Sequence, residues 1–348
     1  MNYHEIEGVE FMGDVHLGRR FIEGVPLDRR GEREEMVWAQ FEHDLSCHNG
    51  DYHIQVGDLF DTFDVDNAVV QRAAAIYKRV AKNLRGCKFL ILRGNHDASR
   101  SDTRVSSFDL FKEMIEVADN IEVIDTPRIL PLYGDQTFGM MPWDPFKSSK
   151  EQAEELIEGA NRQNVFLATM QEMGSLGRPS KGFEFVVCHC DIKGFGNDFN
   201  IIPTETLKRI TDIIVTGHDH HKRDLKMHGV TVHVTGSMQP YSFGEDPEGT
   251  MYLTVTPTEL AALGDVSKKY IRVVLQPGET PPEVPNCLGY KTTSAKASMD
   301  DEEMDVGFED FVDTLSLFKE ILLELEVSAS KTAAVLEKFT ESFNDQNS

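Results

Sequence analysis

The chain has few of the features that mark membrane, exported or disulfide-stabilised proteins. Its 348 residues contain no apolar run near the roughly 18 residues that a membrane-spanning helix needs. Residues 1–20 do not have the charged and then apolar character of an export leader. Five cysteines, an odd number scattered over a long chain, argue against a disulfide framework. We therefore expect a soluble protein of the reducing cytoplasm.

Basic residues are also scarce, with 35 Lys and Arg against 59 Asp and Glu and a net charge of −24. Because phosphate binding normally requires a basic surface, this balance weighs against a nucleic-acid partner. The acidic excess is uneven, however, since residues 300–348 hold 14 acidic and 3 basic residues, a net charge of −11. Carboxylates that hold divalent cations would neutralise part of the remainder. Charge alone does not exclude DNA.

The chain is large enough for one α/β domain with appendages, or for two domains, and 40% of its residues are hydrophobic. Short apolar runs alternate with amphipathic stretches, which predicts a layered α/β fold. We expect strands at 9–12, 52–56, 89–92, 121–124, 137–141, 183–188, 213–215, 251–255 and 270–275, with a hairpin over 223–235. Helical spacing predicts helices at 33–47, 66–83, 106–117 and 148–162.

Polar clusters follow five of the predicted strands. They are Gly13-Asp14-Val15-His16-Leu17-Gly18, Gly57-Asp58-Leu59-Phe60-Asp61, Gly94-Asn95-His96-Asp97, His189, and Gly217-His218-Asp219-His220-His221. Open α/β sheets bind ligands at their strand ends, so we expect these clusters to meet. Carboxylate, amide and imidazole groups suit divalent first-row metals. These groups exceed the needs of one ion, which favours two ions sharing a carboxylate. We expect Gly94 to turn the chain, so that neighbouring residues can take different roles.

This ordered series resembles the signature of the calcineurin-like metallophosphoesterases, which runs Asp-x-His, Gly-Asp-x-x-Asp, Gly-Asn-His-Asp/Glu, a lone His and Gly-His-x-His. The resemblance implies an α-β-β-α sandwich that hydrolyses phosphoesters. Within that superfamily, the first two clusters together with Gly236-Ser237 and Ser242-Phe243-Gly244-Glu245 look most like the SbcD-type DNA-repair nucleases. The compact length is similar to that of the phage members of this group, the exonuclease subunit 1 proteins.

The resemblance also implies roles for individual residues. One metal would be held by Asp14, His16, Asp58 and His220, and the other by Asp58, Asn95, His189 and His218, with Asp58 bridging. His96 would be the general acid beside the scissile phosphate, oriented by Asp61 or Asp97. The two ions would most often be Mn²⁺, with Mg²⁺, Fe²⁺ and Zn²⁺ as alternatives.

Contacts with DNA are harder to place, because the family usually carries a sizeable capping domain after the Gly-Ser segment and only about thirty residues separate Glu245 from the predicted linker. Basic residues near the motifs are weaker candidates for phosphate contacts. They are Arg19, Arg20, Arg100, Arg104, Lys222 and Arg223.

The domain organisation predicted from the sequence has four parts. A nuclease domain spans 1–245, a reduced β segment 246–275, a Pro-rich linker 276–305 and a helical segment 306–348. Apolar residues recur at helical spacing across 308–343, which predicts two helices that bind a partner's groove or dock back on the chain. In the family, the C-terminal helical pair binds an SbcC-type coiled-coil ATPase. The equivalents of helices 33–47 and 66–83 form the family's homodimer.

Two other functions remain open. The first is a protein phosphatase or cyclic-nucleotide phosphodiesterase of the same superfamily, with the same chemistry and a different pocket. The second is a non-catalytic, metal-binding regulator of an ATPase. An intact His96 argues against the second, since a scaffold needs no general acid.

Overall fold

A computed structural model describes residues 6–294 except 49, 102, 116–117, 134–135, 173–182 and 193–198, with side chains in one helix described only to residue 162. The chain divides into two compact units, Met1–Pro240 and Tyr241–Ser348, so the second begins a few residues before the predicted boundary at 245. The predicted helical segment 306–348 and the end of the predicted linker, 295–305, lie outside the described residues.

The first sheet of the larger unit is parallel throughout. Its strands, in spatial order, are β1 (Val9–Met12), β2 (Tyr52–Gln55), β3 (Lys88–Leu92) and β4 (Ile121–Ile124). Parallel strands need crossover connections, and these are α1 (Glu32–Ser46), α2 (Asn67–Asn83) and α3 (Ser107–Ile115). The apolar stripes of the helices are buried, and Tyr77 of α2 makes edge-to-face contacts with Phe41, Phe89 and Phe111.

The exposed faces of α1 and α2 are polar. Ion pairs join Arg72 to Glu35 and Arg79 to Glu42 across the two helices, and the Arg72 guanidinium lies 4.4 Å over the Trp38 ring. The apolar residues of α2 are buried in the hydrophobic core, as their spacing predicts.

The second sheet of the larger unit is mixed. Its spatial order is β5 (Arg128–Pro131), β6 (Thr137–Met141), β7 (Val186–Cys188), β8 (Ile213–Thr216), β10 (Val230–Val234) and β9 (Arg223–Met227), with antiparallel pairs at both edges. Helices α4 (Ser149–Glu172) and α5 (Thr204–Leu207) accompany it. The sequence did not predict β5, which is short, ends in proline and pairs on one side only.

The layers follow from two buried clusters. Apolar side chains of the first sheet, such as Ile54 and Leu90, pack against Phe138, Phe185 and Val215 of the second. A second cluster lies between α4 and the other face of the second sheet. Helices thus flank the two facing sheets, which confirms the predicted layered α/β fold.

The smaller unit contains a parallel sheet of β11 (Tyr252–Val255), β12 (Tyr270–Leu275) and β13 (Gly289–Ser294), with the helix α6 (Pro257–Ala262). Strand β13 lies within the stretch predicted as a linker. Its sequence is polar and mostly exposed or half-buried, so its composition does not indicate a strand. It forms a strand because it pairs with β12. Buried Cys287 beside β13 packs with Ile271 and Val273 of β12.

No helix in the described part of the chain is long and apolar enough to cross a bilayer. All five cysteines lie in that part and are free thiols.

Candidate metal centre

The predicted polar clusters meet at the carboxyl ends of strands from both sheets. Strands β1, β2 and β3 deliver Asp14 with His16, Asp58, and Asn95 with His96, while β7 and β8 deliver His189 and the His218–His220 segment. The loop after β10 anchors the first cluster, since the Asp14 N–H donates to the Gly236 carbonyl at 3.2 Å and Asp14 O accepts from the Met238 N–H at 2.8 Å.

Two motif glycines are required by close approach of the chain. A Cβ on Gly94 would lie 2.1 Å from Oδ1 of Asp58, and one on Gly57 would lie 2.0 Å from Nδ1 of His189. Gly57 also has a φ of +109°, whereas Gly94 has no positive φ. The chain turns directly after Gly94, at residues 95–97, and Gly94 is required there because it makes room for Asp58 and not because of its φ.

Three of the predicted ligands have strained backbones. His16, Asp58 and His218 have φ angles of 49°, 51° and 76°, a region that costs non-glycine residues free energy and recurs at functional sites. The surrounding packing maintains these conformations, since all three residues lie where strands from the two sheets end.

One group of candidate ligands contains Asp14, His16 and His220, whose ligand atoms all lie within 4.8 Å of one another. The Nε2 atoms of His16 and His220 are 3.0 Å apart, and Nε2 of His220 is 3.6 Å from Oδ2 of Asp14. Ligands bound about 2.1 Å from one ion lie roughly 3.0 Å apart in octahedral and roughly 3.4 Å apart in tetrahedral coordination when adjacent. These separations therefore fit one divalent ion.

A second group contains Asp58, His189 and His218, and Asn95 completes it. Oδ1 of Asn95 lies 2.9 Å from Nε2 of His189 and 2.9 Å from Nδ1 of His218. Nδ1 of His189 lies 2.9 Å from the carbonyl oxygen of Val56. A carbonyl only accepts, so Nδ1 of His189 carries a proton and Nε2 faces Asn95 and Asp58.

Asp58 is a member of the second group and also lies beside the first, because it forms a further candidate group with His16 and His96. Its Oδ2 lies 3.4 Å from Nε2 of His189 and 3.9 Å from Nε2 of His16. Burial would raise the pKa of Asp58, but His189 and its other histidine neighbours hold that pKa well below its usual range. Burial opposes the charged form of His189, yet Asp58 and Asp14 raise its pKa to about 10. The two buried carboxylates thus favour positive charge at His189, and the carboxylate, amide and imidazole donors are of the types that bind divalent cations.

His96 lies beside the shared carboxylate. Its ring is edge-on to that of His16, with centroids 4.9 Å apart, and its Nδ1 lies 2.5 Å from the backbone carbonyl oxygen of Asp61. The Asp61 carboxylate lies 3.7 Å from Nδ1 of His16 and 3.6 Å from Nη1 of Arg19. Asp61 thus contacts His96 through its backbone carbonyl.

The Asp97 carboxylate joins two loops. It accepts the backbone N–H groups of Leu59, Phe60 and Gly94 at 3.2, 2.9 and 2.9 Å, so it ties the loop after β2 to the loop after β3. Burial, with the charge of Asp58, raises the pKa of Asp97 to about 7.

The six basic candidates have different surroundings. Arg19 is mostly buried beside Asp61, Arg223 makes a two-pronged pair with Asp219 at 2.8 and 2.6 Å, and Arg104 lies 4.4 Å over the Phe63 ring. The side chains of Arg20, Arg100 and Lys222 are exposed.

Two residues that sequence reasoning did not select also contact the site. The Trp143 ring stacks on His218, with centroids 5.7 Å apart, and Asp191 pairs with Nε2 of His218. The position of Asp191 two residues after His189 could have signalled it, whereas nothing local marks Trp143.

Comparison with protein families agrees with this geometry, because the model for calcineurin-like phosphoesterases matches residues 10–222. The chain belongs to that family. Its members use a dinuclear metal site, and the match spans every motif from Asp14 to His220. Family membership and the His/Asp groups together support a metal-dependent phosphoesterase.

Other comparisons are less informative. Curated proteins gave no significant match. Among solved structures, the crystal structure of phosphopantetheinyl hydrolase (PptH) from Mycobacterium tuberculosis is similar, with 14% identity, a TM-score of 0.37 and coverage of 68% of this chain and 94% of that one. At this TM-score the likeness supports no conclusion about function.

Proposed function

We propose that this phosphoesterase is a manganese-dependent DNA nuclease of the SbcD type, the cytoplasmic nuclease subunit of a recombination and repair complex. The observation that carries the proposal is the position of His96 beside Asp58, the carboxylate that belongs to one candidate metal group and lies next to His16 of the other. Choice of DNA as the substrate rests on the resemblance of the first two motifs, of Gly236-Ser237 and of residues 242–245 to those nucleases.

In this proposal, the first group and Asp58 hold one ion, while Asp58, Asn95, His189 and His218 hold the other. When bound, two divalent cations would offset the charge of the phosphate and lower the pKa of a metal-bound water to about 7. Asp58 fixes the spacing of the two groups, and its Oδ1 accepts the His96 backbone N–H at 2.9 Å.

His96 is the proposed general acid. The carbonyl oxygen of Asp61 accepts from Nδ1–H of His96, which stabilises the protonated ring and directs its other nitrogen away from Asp61. Transfer of a proton from His96 to the departing sugar oxygen would contribute about 10²- to 10⁴-fold to the rate.

The exposed cations Arg20, Arg100 and Lys222 are the proposed contacts to DNA phosphates, because they are solvent-accessible and lie near motif residues in sequence. Arg19 lies beside Asp61, which in turn lies beside His16, and would act at the scissile phosphate. Arg104 and Arg223 are the weaker members of the set, since Phe63 and Asp219 already engage them.

The decisive experiment measures hydrolysis of three substrates by the full-length chain loaded with Mn²⁺. The substrates are end-labelled linear duplex DNA, a phosphopeptide and a cyclic nucleotide. We expect shortening of the DNA and no turnover of the other two substrates. Turnover of the phosphopeptide or the cyclic nucleotide without degradation of DNA would show that the protein is a protein phosphatase or a cyclic-nucleotide phosphodiesterase and not a nuclease. Absence of all three activities in protein that binds two Mn²⁺ ions would favour a non-catalytic regulator.

The proposed ATPase partner is tested at the apolar stripe of 308–325. Phe318→Asp with Leu322→Asp should abolish association with an SbcC-type coiled coil, whereas Ser316→Asp, off the stripe, should not. Unchanged association in the double variant would contradict this binding segment. Sedimentation of the chain alone tests the proposed homodimer.

A further inference from the structure

The imidazole of His218 is held on three sides. Asn95 lies at Nδ1, with Oδ1 2.9 Å away, Asp191 pairs with Nε2, and the Trp143 ring stacks on its face at an interplanar angle of 28°. We propose that Asp191 and Trp143 are positioning residues that fix His218 with its Nδ1 lone pair toward the metal centre.

Asp191 determines which nitrogen carries the proton. A carboxylate oxygen accepts, so its contact with Nε2 of His218 places the proton on Nε2 and leaves Nδ1 as an electron-pair donor. Histidine ligands of metals are commonly oriented in this way by a carboxylate at the other ring nitrogen. His218 therefore has the opposite arrangement to His189, whose Nδ1 carries the proton.

The backbone of Asp191 is itself fixed. Its N–H donates to the Asn200 carbonyl at 3.0 Å, and its carbonyl accepts from the Ile202 N–H at 2.9 Å. These bonds form a parallel bridge between Asp191 and Ile201. The carboxylate is thus presented from a restrained segment, as orientation of a partner ring requires.

Trp143 restricts rotation of the ring. It is buried, with 8% of its surface exposed, and its ring also lies edge-on to His189 at 6.4 Å. Two backbone contacts secure it, since the Trp143 N–H donates to the Arg93 carbonyl at 2.9 Å and Nε of Arg93 donates to the Trp143 carbonyl at 2.9 Å. Arg93 directly precedes the Gly94-Asn95 segment, so the stacking partner and the amide neighbour of His218 are held to one strand end.

His218 has a φ of 76°, so its backbone does not by itself favour the observed conformation. The His218 backbone N–H donates to Oδ2 of Asp14 at 3.0 Å, and the three side chains around the ring restrain the imidazole. This inference rests on the proposed metal centre and adds residues outside the motifs, with separate roles for the acceptor and the stacking ring.

The first test reads the protonation pattern of His218 directly. In full-length, metal-free protein with ¹⁵N-labelled histidine, long-range ¹H–¹⁵N spectra at pH 8 should show the proton of His218 on Nε2. Asp191→Leu, which removes the acceptor, should move that population toward the Nδ1–H form, and Asp191→Asn, which keeps an oxygen acceptor, should restore part of it. The remote His233, whose Nδ1 contacts Asp224, is the internal control. A proton on Nδ1 of His218 in the unsubstituted protein would overturn the proposal.

The second test measures metal affinity by calorimetry with Mn²⁺. Asp191→Leu and Trp143→Leu should each weaken the affinity for one of the two ions by about 10- to 100-fold. The affinity for the ion held by the Asp14, His16 and His220 group should stay nearly unchanged. Trp143→Phe, which keeps a stacking ring, should recover most of the affinity. Equal weakening of both ions, or no weakening, would contradict a role confined to His218.

These readouts are independent of the substrate. If the chain fails to cleave DNA and both tests succeed, the nuclease proposal fails and the positioning roles stand. If the chain cleaves DNA and His218 is unaffected by Asp191→Leu, only the positioning proposal fails.

Discussion

The backbone N–H of His96 donates a 2.9 Å hydrogen bond to Oδ1 of Asp58. The same carboxylate directs Oδ2 toward Nε2 of both His16 and His189. The proposed proton donor and both candidate metal groups are therefore positioned by one side chain, and substitutions around it should separate metal binding from proton transfer.

Asp58→Asn should abolish two-ion binding. Asparagine tolerates the left-handed φ of 51° at this position, so we expect the fold to persist, but the neutral amide cannot supply the charge that both groups share. Calorimetry with Mn²⁺ should show weakened binding of both ions, together with loss of cleavage. Asp28→Asn, at an exposed position, is the matched control and should bind as the unsubstituted protein does.

His96→Asn should keep metal and DNA binding and lose cleavage. Loss of the general acid predicts a fall of about 10²- to 10⁴-fold in single-turnover rate, with little change in Mn²⁺ affinity. His96 also lies within ligand distance of His16 and Asp58, so a large drop in Mn²⁺ affinity would identify it as a ligand. The exposed His43 offers a control, since His43→Asn should leave both measurements unchanged.

Gly94→Ala should disrupt the centre through one methyl group. The added Cβ would lie 2.1 Å from Oδ1 of Asp58, so Asp58 or the loop must move, and overpacking of this kind costs about 1–3 kcal/mol. We expect lower stability in urea and loss of Mn²⁺ binding. The counterpart Gly86→Ala meets no atom within 4 Å and should have neither effect. Normal Mn²⁺ binding by Gly94→Ala would show that the loop adapts without displacing Asp58.

The buried side chain of His53 should make the stability of the fold sensitive to acid. Burial, with the charge of His48, lowers the pKa of His53 from 6.5 to about 3. Below pH 6.5 the unfolded chain takes up a proton that the folded chain does not, so this residue reduces stability as pH falls from 6.5 toward 3 and has no such effect above that window.

Unfolding in urea at pH 7 and pH 5 measures this component. His53→Leu removes the titrating group, so the unsubstituted protein should lose about 2 kcal/mol more than His53→Leu between these values. Because other groups titrate in both proteins, only the difference between the two pH dependences is diagnostic. Parallel pH dependences would mean that His53 is protonated in the folded protein.

Much of the fold could be predicted from local pattern. Strands such as 9–12 and 137–141 have the predicted bounds because most of their residues are apolar. Two edge strands were missed, Arg128–Pro131 and Gly289–Ser294. Their sequences are short or polar, and pairing with a neighbour defines them.

The sequence by itself determined the identity and order of the polar clusters, since strand-end residues lie where local periodicity ends. Tertiary structure alone decided how their atoms face one another. Gly94 makes room for Asp58, the carbonyl of Asp61 contacts His96, and Asp97 ties two loops. Trp143 and Asp191 meet His218 only because strands distant in sequence end at one rim. Such roles depend on distances of a few ångströms between remote segments, which no local pattern encodes.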